Sequence, residues 1–211
     1  MPTEEIAWLR DTFADMDFVT EVEIEGASMV ITRRDKPPAH LGFVRAPLLQ
    51  GNEIDELMRI YPATEFAVNI PRDGHISQSA LERADAHGIA VGRVKEAMSA
   101  LHLEEPRSWV SPEYAFVSRG LLQHSRVRSI ERLDDRRIRV VRNGLDDVVV
   151  FIGSEYQPSA ETVRAALALG PFQIYSATNP NSQPTPEAIG VGEGAGVKVL
   201  RWGPTLAALH R

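Results

Sequence analysis

Apolar residues recur at helical spacing in two places along the chain. Ile6, Leu9 and Phe13 make one stripe, and Tyr114, Val117 and Leu121 make another. Thr3 and Ser111 stand where helix N-caps belong, followed by Glu4 and Glu5 in the first case and by Pro112 in the second. Behind each predicted helix the period changes to two. Residues 18–25 alternate Val22 and Ile24 against Glu21, Glu23 and Glu25, and residues 127–133 are the counterpart. Second strands are predicted at 29–32 and 136–141, after the turn-forming Glu25-Gly26-Ala27 and Asp134-Asp135. Third strands follow at 40–45 and 147–153, and the unbroken run Val148-Val149-Val150-Phe151-Ile152 has the pattern of a strand covered on both faces. Helices are then predicted at 53–61 and 161–169, and buried strands at 66–70 and 172–177.

The rest of each series is alike in more detail. A polar loop, Pro71-Arg72-Asp73-Gly74 or Thr178-Asn179-Pro180-Asn181, leads to a capping residue, Ser77 or Thr185. The helix that follows carries Ala80 and Ala84, or Ala188 and Gly192, small residues that let it lie close on a sheet. Gly88 or Gly196 ends it. A short strand, Ile89-Ala90-Val91 or Val197-Lys198-Val199, and a closing helix to Leu101 or Leu209 complete each half. Matching residues stand 108 apart from one end to the other, as in Ser77 and Thr185, Val91 and Val199, Arg93 and Arg201, and His102 and His210. This constant offset predicts a tandem duplication of a small α/β domain. The expected halves are 1–105 and 109–211, each ordered α-βββ-α-β-α-β-α, related by a pseudo-twofold axis.

Composition narrows the class. The chain has 211 residues, 43% of them hydrophobic, and a net charge of −6, as expected of a globular protein. It has no cysteine, which excludes disulfides, a thiolate nucleophile and a Cys-based zinc site. No apolar run approaches membrane-span length and the N-terminus is acidic, so a cytoplasmic location with no membrane partner is expected. Charge is shared unevenly. Residues 1–108 carry 11 Lys/Arg against 19 Asp/Glu, and residues 109–211 carry 12 against 10. Such asymmetry fits a polyanion-facing surface or two halves that attract each other.

The closing pattern of a strand, an Asn- or Thr-bearing loop, T-x-x-A, a glycine, a short strand and a terminal helix resembles the C-terminal portion of Mrr-like restriction endonucleases. The order helix, three strands, helix, strand resembles their nuclease core, so the resemblance covers most of each half. It implies one acid near the start of the third core strand and a Glu/Gln-x-Lys at its end. There the carboxylates hold a divalent cation and the lysine helps to activate water. Asp146 and Asp147 match the first acid in the second half, and Ile152-Gly153-Ser154-Glu155-Tyr156 keeps Glu155, but no lysine follows. In the first half Pro38-Ala39 replaces the aspartates and Val44-Arg45-Ala46 ends the strand. The resemblance therefore implies a degenerate centre. Asp146, Asp147 and Glu155 are its candidate catalytic residues, and Mg²⁺ or Mn²⁺ is implied only if the second half cleaves.

Other constellations are weighed beside it. Arg126, Arg128, Arg132, Arg136, Arg137, Arg139 and Arg142 crowd the first hairpin of the second half and are candidates for tracking a phosphate backbone. The alternative is that they pair with Glu21, Glu23 and Glu25 of the matching hairpin, or protect an edge strand. Arg137 and Arg139 flank Ile138 and are expected to face away from the core. Asn179, Asn181 and Thr185 are candidate loop ligands at a strand end, against an ordinary turn. His102 and His210 are read as capping helix C-termini. Gly190, Gly192, Gly194 and Gly196 are read as part of a helix, and no phosphate-binding loop, dinucleotide fingerprint or G-x-S-x-G occurs.

These readings lead to a non-catalytic nuclease-fold module that binds nucleic acid or a protein partner, in a phage-defence or DNA-processing setting that only the resemblance implies. A metal-dependent nuclease in the second half and an acidic protein-binding scaffold or chaperone-like adaptor are the alternatives. Homo-oligomerisation is left open, and no other cofactor or metal is expected.

Overall fold

The computed structural model describes residues 3–210, with side chains from residue 4, and divides into two units, residues 1–110 and residues 111–211. The first unit opens with α1 (Thr3–Ala14) and a meander of β1 (Val19–Glu25), β2 (Ser28–Arg33) and β3 (Lys36–Val44). Then come β4 (Leu48–Leu49), α2 (Gly51–Ile60), β5 (Phe66–Asn69), β6 (His75–Ile76), α3 (Gln78–His87), β7 (Ala90–Arg93) and α4 (Val94–Ala100). One turn of 3-10 helix at Pro106–Ser108 closes the unit. The second unit runs α5 (Pro112–Leu122), β8 (Val127–Arg132), β9 (Arg137–Arg142), β10 (Val148–Gly153) and α6 (Ala160–Leu169). It continues with β11 (Ile174–Ala177), α7 (Pro186–Gly194), β12 (Lys198–Arg201) and α8 (Trp202–Ala208). Thr3 lies within α1 and not before it, and its side chain falls outside the described residues, as does the whole of Arg211.

Both main sheets have five strands in equivalent order, β1-β2-β3-β5-β7 and β8-β9-β10-β11-β12. The first three strands of each are antiparallel and the last three parallel. Two helices cover each face. In the first unit Leu9 and Phe13 of α1 and Ala97 and Ala100 of α4 pack on Met29, Ile31, Leu41 and Phe66. Ile54 and Leu57 of α2 and Ala80 and Ala84 of α3 pack on Ala67 and Val91 from the other side. In the second unit α5 and α8 share one cluster with Ile138, Val150 and Ile174, while α6 and α7 share another with Phe151, Tyr175 and Val199. All four residues of β5 and of β11 are buried, the signature of a central strand dry on both sides.

Local chemistry agrees with these bounds. Ser77 accepts from the Ala80 N–H at 3.2 Å, and Thr185 accepts from that of Ala188 at 3.1 Å. Gly88 and Gly196 follow the two helices with φ of 66° and 70°, a left-handed conformation that a side chain would strain. Gly192 is required by contact instead. A Cβ there would stand 2.5 Å from Val199 Cγ2, so α7 lies directly on β12. The third strand of the first unit begins earlier than expected, at Lys36, because β3 pairs back along the whole length of β2. The short parallel pair β4 and β6 was not readable from a two-residue pattern.

Pairing corrects the constant offset. Val22 faces Ile31 and Ile130 faces Val140, so the first strands differ by 108 residues and the second by 109. Leu41 faces Phe66 and Val150 faces Ile174, which keeps 109 through the third strands and restores 108 at the fourth. The second unit thus holds one extra residue in its first hairpin turn and one fewer between α6 and β11. Both changes fall in connections, where length is cheapest to alter.

The slip exposes a shared clamp. Arg33 ends β2, is 4% exposed, and donates to the carbonyls of Pro37, Leu101, Leu103 and Glu104 at 2.6–3.0 Å. Burial lowers its pKa, and the charges of Glu65 and Glu104 oppose that shift. Arg142 ends β9 and donates to the carbonyls of Asp146 at 2.7 Å and Leu209 at 3.2 Å. Each arginine ties the end of the closing helix to the sheet. Arg33→Met should cost about 3 kcal/mol, since it strands four carbonyls, and Arg142→Met about 1 kcal/mol. Urea unfolding of both variants reads the difference.

Candidate functional site

The resemblance would have Asp146, Asp147 and Glu155 meet at one cation, and the fold keeps them apart. Asp146 and Asp147 are exposed just before β10, and Glu155 lies just beyond its far end. A six-residue strand is about 20 Å long, well beyond what one ion's coordination shell spans. Among the described residues no group of three or more His, Asp or Glu is gathered at metal-holding distance. These side chains do not fit the cation that such nucleases use.

Glu155 instead belongs to a polar cluster at the carboxyl ends of β10 and β11. The buried Tyr175 hydroxyl donates to Glu155 Oε2 at 2.7 Å. Thr178 Oγ1 donates to Glu113 Oε1 at 2.5 Å, and Arg136 approaches the other Glu113 oxygen at 3.6 Å. Gly153 makes the arrangement possible, because a Cβ there would stand 2.1 Å from the tyrosine hydroxyl. Burial, and then the nearby Glu155 carboxylate, push the Tyr175 phenol far above its ordinary range. A phenol so held is a proton-bearing anchor and not a base. The first unit answers with different residues at the same end. Glu5 pairs with Arg45, its Oε2 is buried with no hydrogen-bond partner among the described residues, and Asn69 bridges the Ala46 N–H and carbonyl at 3.1 and 3.0 Å. Sequence reasoning missed Tyr175, Glu113 and Asn69 as a set. The available signal was a polar residue in an otherwise dry strand.

The arginine cluster divides. Arg137 donates to Asp134 at 2.7 Å and lies against Gly170, where a Cβ would stand 2.0 Å from its Nη1. It packs against the end of α6 and does not simply face solvent. Arg139 pairs with Glu131, its partner across the strands, at 2.5 Å. Arg136 meets Glu113 and Asp135, Arg142 holds carbonyls, and Arg132 stacks 4.2 Å above the Tyr114 ring. These partners all come from the second unit. Arg126 and Arg128 are exposed, and neither guanidinium has an ion-pair partner among the described residues. The same is true of the exposed carboxylates Glu21, Glu23 and Glu25 along β1.

The loop candidates serve local structure. Asn179 Oδ1 accepts from the Asn181 N–H at 3.0 Å, a side-chain-closed turn, and Thr185 caps α7. His102 packs its ring on Phe18 at 4.5 Å. His210 Nε2 lies 3.1 Å from His124 Nε2, while the Arg126 N–H donates to His124 Nδ1 at 3.2 Å. Burial, and then His210, hold the His124 pKa below its ordinary value. Among the described residues no helix is long and apolar enough to cross a membrane.

Two outcomes follow from the shifted groups. Tyr175 keeps its proton in the fold, so its stabilising contribution is whole below about pH 10 and fades as pH rises further. Ultraviolet titration of the native protein should therefore match that of Tyr175→Phe until unfolding begins. His124 is depressed, so its contribution is whole above about pH 6.5 and is lost as pH falls. Thermal unfolding at mildly acidic pH should show a smaller loss in His124→Asn than in the parent. Compared with protein-family models, curated proteins and solved structures, the chain matches none of them.

Proposed function

We propose that this chain is a non-catalytic binding protein built from two copies of one ancestral α/β unit, and that its partner is a basic protein surface. Common ancestry is supported by the shared element order, the shared strand order, the paired caps and the matching arginine clamps. The absence of catalysis is supported by the separation of Asp146 and Asp147 from Glu155, which is bound to a protonated phenol.

One observation carries the choice of partner. Glu21, Glu23 and Glu25 stand at alternate positions on the edge strand β1, on one face, exposed and without an ion-pair partner among the described residues. Alternate residues on a strand are roughly 7 Å apart, a spacing that an extended or helical run of Lys and Arg can match. Most arginines in the equivalent hairpin of the second unit already hold acids or carbonyls, which leaves less positive surface for a phosphate backbone. Nucleic acid is the second reading, favoured only by exposed Arg126 and Arg128 beside the edge strand β8.

Fluorescence anisotropy with a labelled arginine-rich peptide separates the two. The parent should bind more weakly as salt rises. The variant Glu21→Lys/Glu23→Lys/Glu25→Lys should lose roughly tenfold, three exposed pairs at about half a kcal/mol each. A duplex that binds with a salt slope flattened by Arg126→Glu/Arg128→Glu, with no peptide binding, would replace the first reading with the second.

A further inference from the structure

The last strand of each unit ends in an arginine, Arg93 on β7 and Arg201 on β12. In the first unit the chain satisfies it. Arg93 Nε donates to the Gly74 carbonyl at 2.9 Å, Glu96 Oε1 lies 3.6 Å from Nη1, and the side chain is 15% exposed. Glu96 also accepts from the Arg93 N–H at 2.6 Å, which fixes its carboxylate at the start of α4.

The carboxylate acceptor is missing in the second unit. Pro204 stands where Glu96 stands. The loop before α7 is tied down as its counterpart is, with the Gln183 N–H donating to the Tyr156 carbonyl and the Thr185 N–H to the Pro158 carbonyl, both at 3.0 Å. Arg201 is exposed, and its guanidinium has no hydrogen-bond or ion-pair partner among the described residues.

Arg201 borders a cavity of about 310 Å³ between β12, α7 and the start of α8. Ile189, Val199, Leu200 and Pro204 form its apolar walls, and Gln183 is the other polar group on its rim. That volume reaches the lower end of the range for small-molecule sites. The cavity also lies toward the carboxyl ends of parallel strands, where α/β sheets bind ligands. A guanidinium presents a planar fork that matches a carboxylate, and the walls suit a short hydrocarbon body.

We infer that this open cavity binds a small apolar carboxylate, with Arg201 taking the acid group and Ile189, Val199 and Pro204 lining the place of the hydrocarbon. The site lies in the second unit and does not depend on what meets β1. The acid can be a free molecule or the C-terminal residue of a peptide, and both present the same chemistry.

Isocaproate, its neutral counterpart isocaproamide and N-acetyl-leucine are titrated into the full chain, with amide NMR shifts as readout. Isocaproate should move resonances of residues 183–204, whereas isocaproamide should bind at least tenfold more weakly. Arg201→Gln should lose binding by a similar factor, with Arg201→Lys between. Pro204→Glu supplies the acid that Glu96 gives the first unit, so it should occupy Arg201 and remove binding while the fold is kept. Tighter binding of N-acetyl-leucine than of isocaproate assigns a peptide terminus, and the reverse assigns a free acid; either supports the site. Equal binding of the amide, unchanged binding in Pro204→Glu, or no shifts at millimolar acid overturns it.

Discussion

Water has no access to the middle of either sheet, and that exclusion governs what every polar side chain there does. β5 and β11 are buried along their whole length, between α1 and α4 or α5 and α8 on one face and α2 and α3 or α6 and α7 on the other. A polar atom placed there must find a partner within the protein. Asn69 therefore closes on the Ala46 backbone, Ser176 meets Thr205 at 2.8 Å, and Tyr175 reaches Glu155. The outer antiparallel strands are under no such demand. Their exposed faces differ in charge: Glu21, Glu23 and Glu25 line one edge strand, while Ser129 and Glu131 stand at two of the matching places in the other unit.

The two units accordingly keep the same apolar frame and differ in polar chemistry. Caps, left-handed glycines and the clamping arginines recur, because each satisfies backbone groups that the fold itself creates. The difference between Glu96 and Pro204 is of another kind. It leaves the second unit without that acceptor, does not touch the core, and puts arginines at matching places in two different electrostatic settings.

Element order was readable from the chain because apolar period, caps and terminal glycines are local signals. Ile6, Leu9 and Phe13 needed no distant partner to mark a helix, nor did Ser77 and Gly88 to bound one. The hairpin slip was not readable. An added residue at Asp134–Arg136 is cancelled after α6, so the ends of the chain align as though nothing had changed. Arginine roles were unreadable for a different reason. Alternation tells which face Arg137 and Arg139 occupy, but not that Asp134, Glu131 and the bare backbone of Gly170 wait there. The nuclease resemblance placed acids by order along β10, and order alone does not bring opposite ends of a strand together.

The compensated slip also limits how the halves can be recombined. A chimera that joins β1 of one half to β9 of the other keeps inward residues inward when the junction lies within the hairpin turn. Cut inside the strand at the offset of 108 that the chain ends share, the same exchange would be out of phase by one residue, and a side chain such as Arg139 would enter the dry layer where Ile138 or Val140 belongs. Within this part of the fold, the connections are the seams that tolerate either spacing.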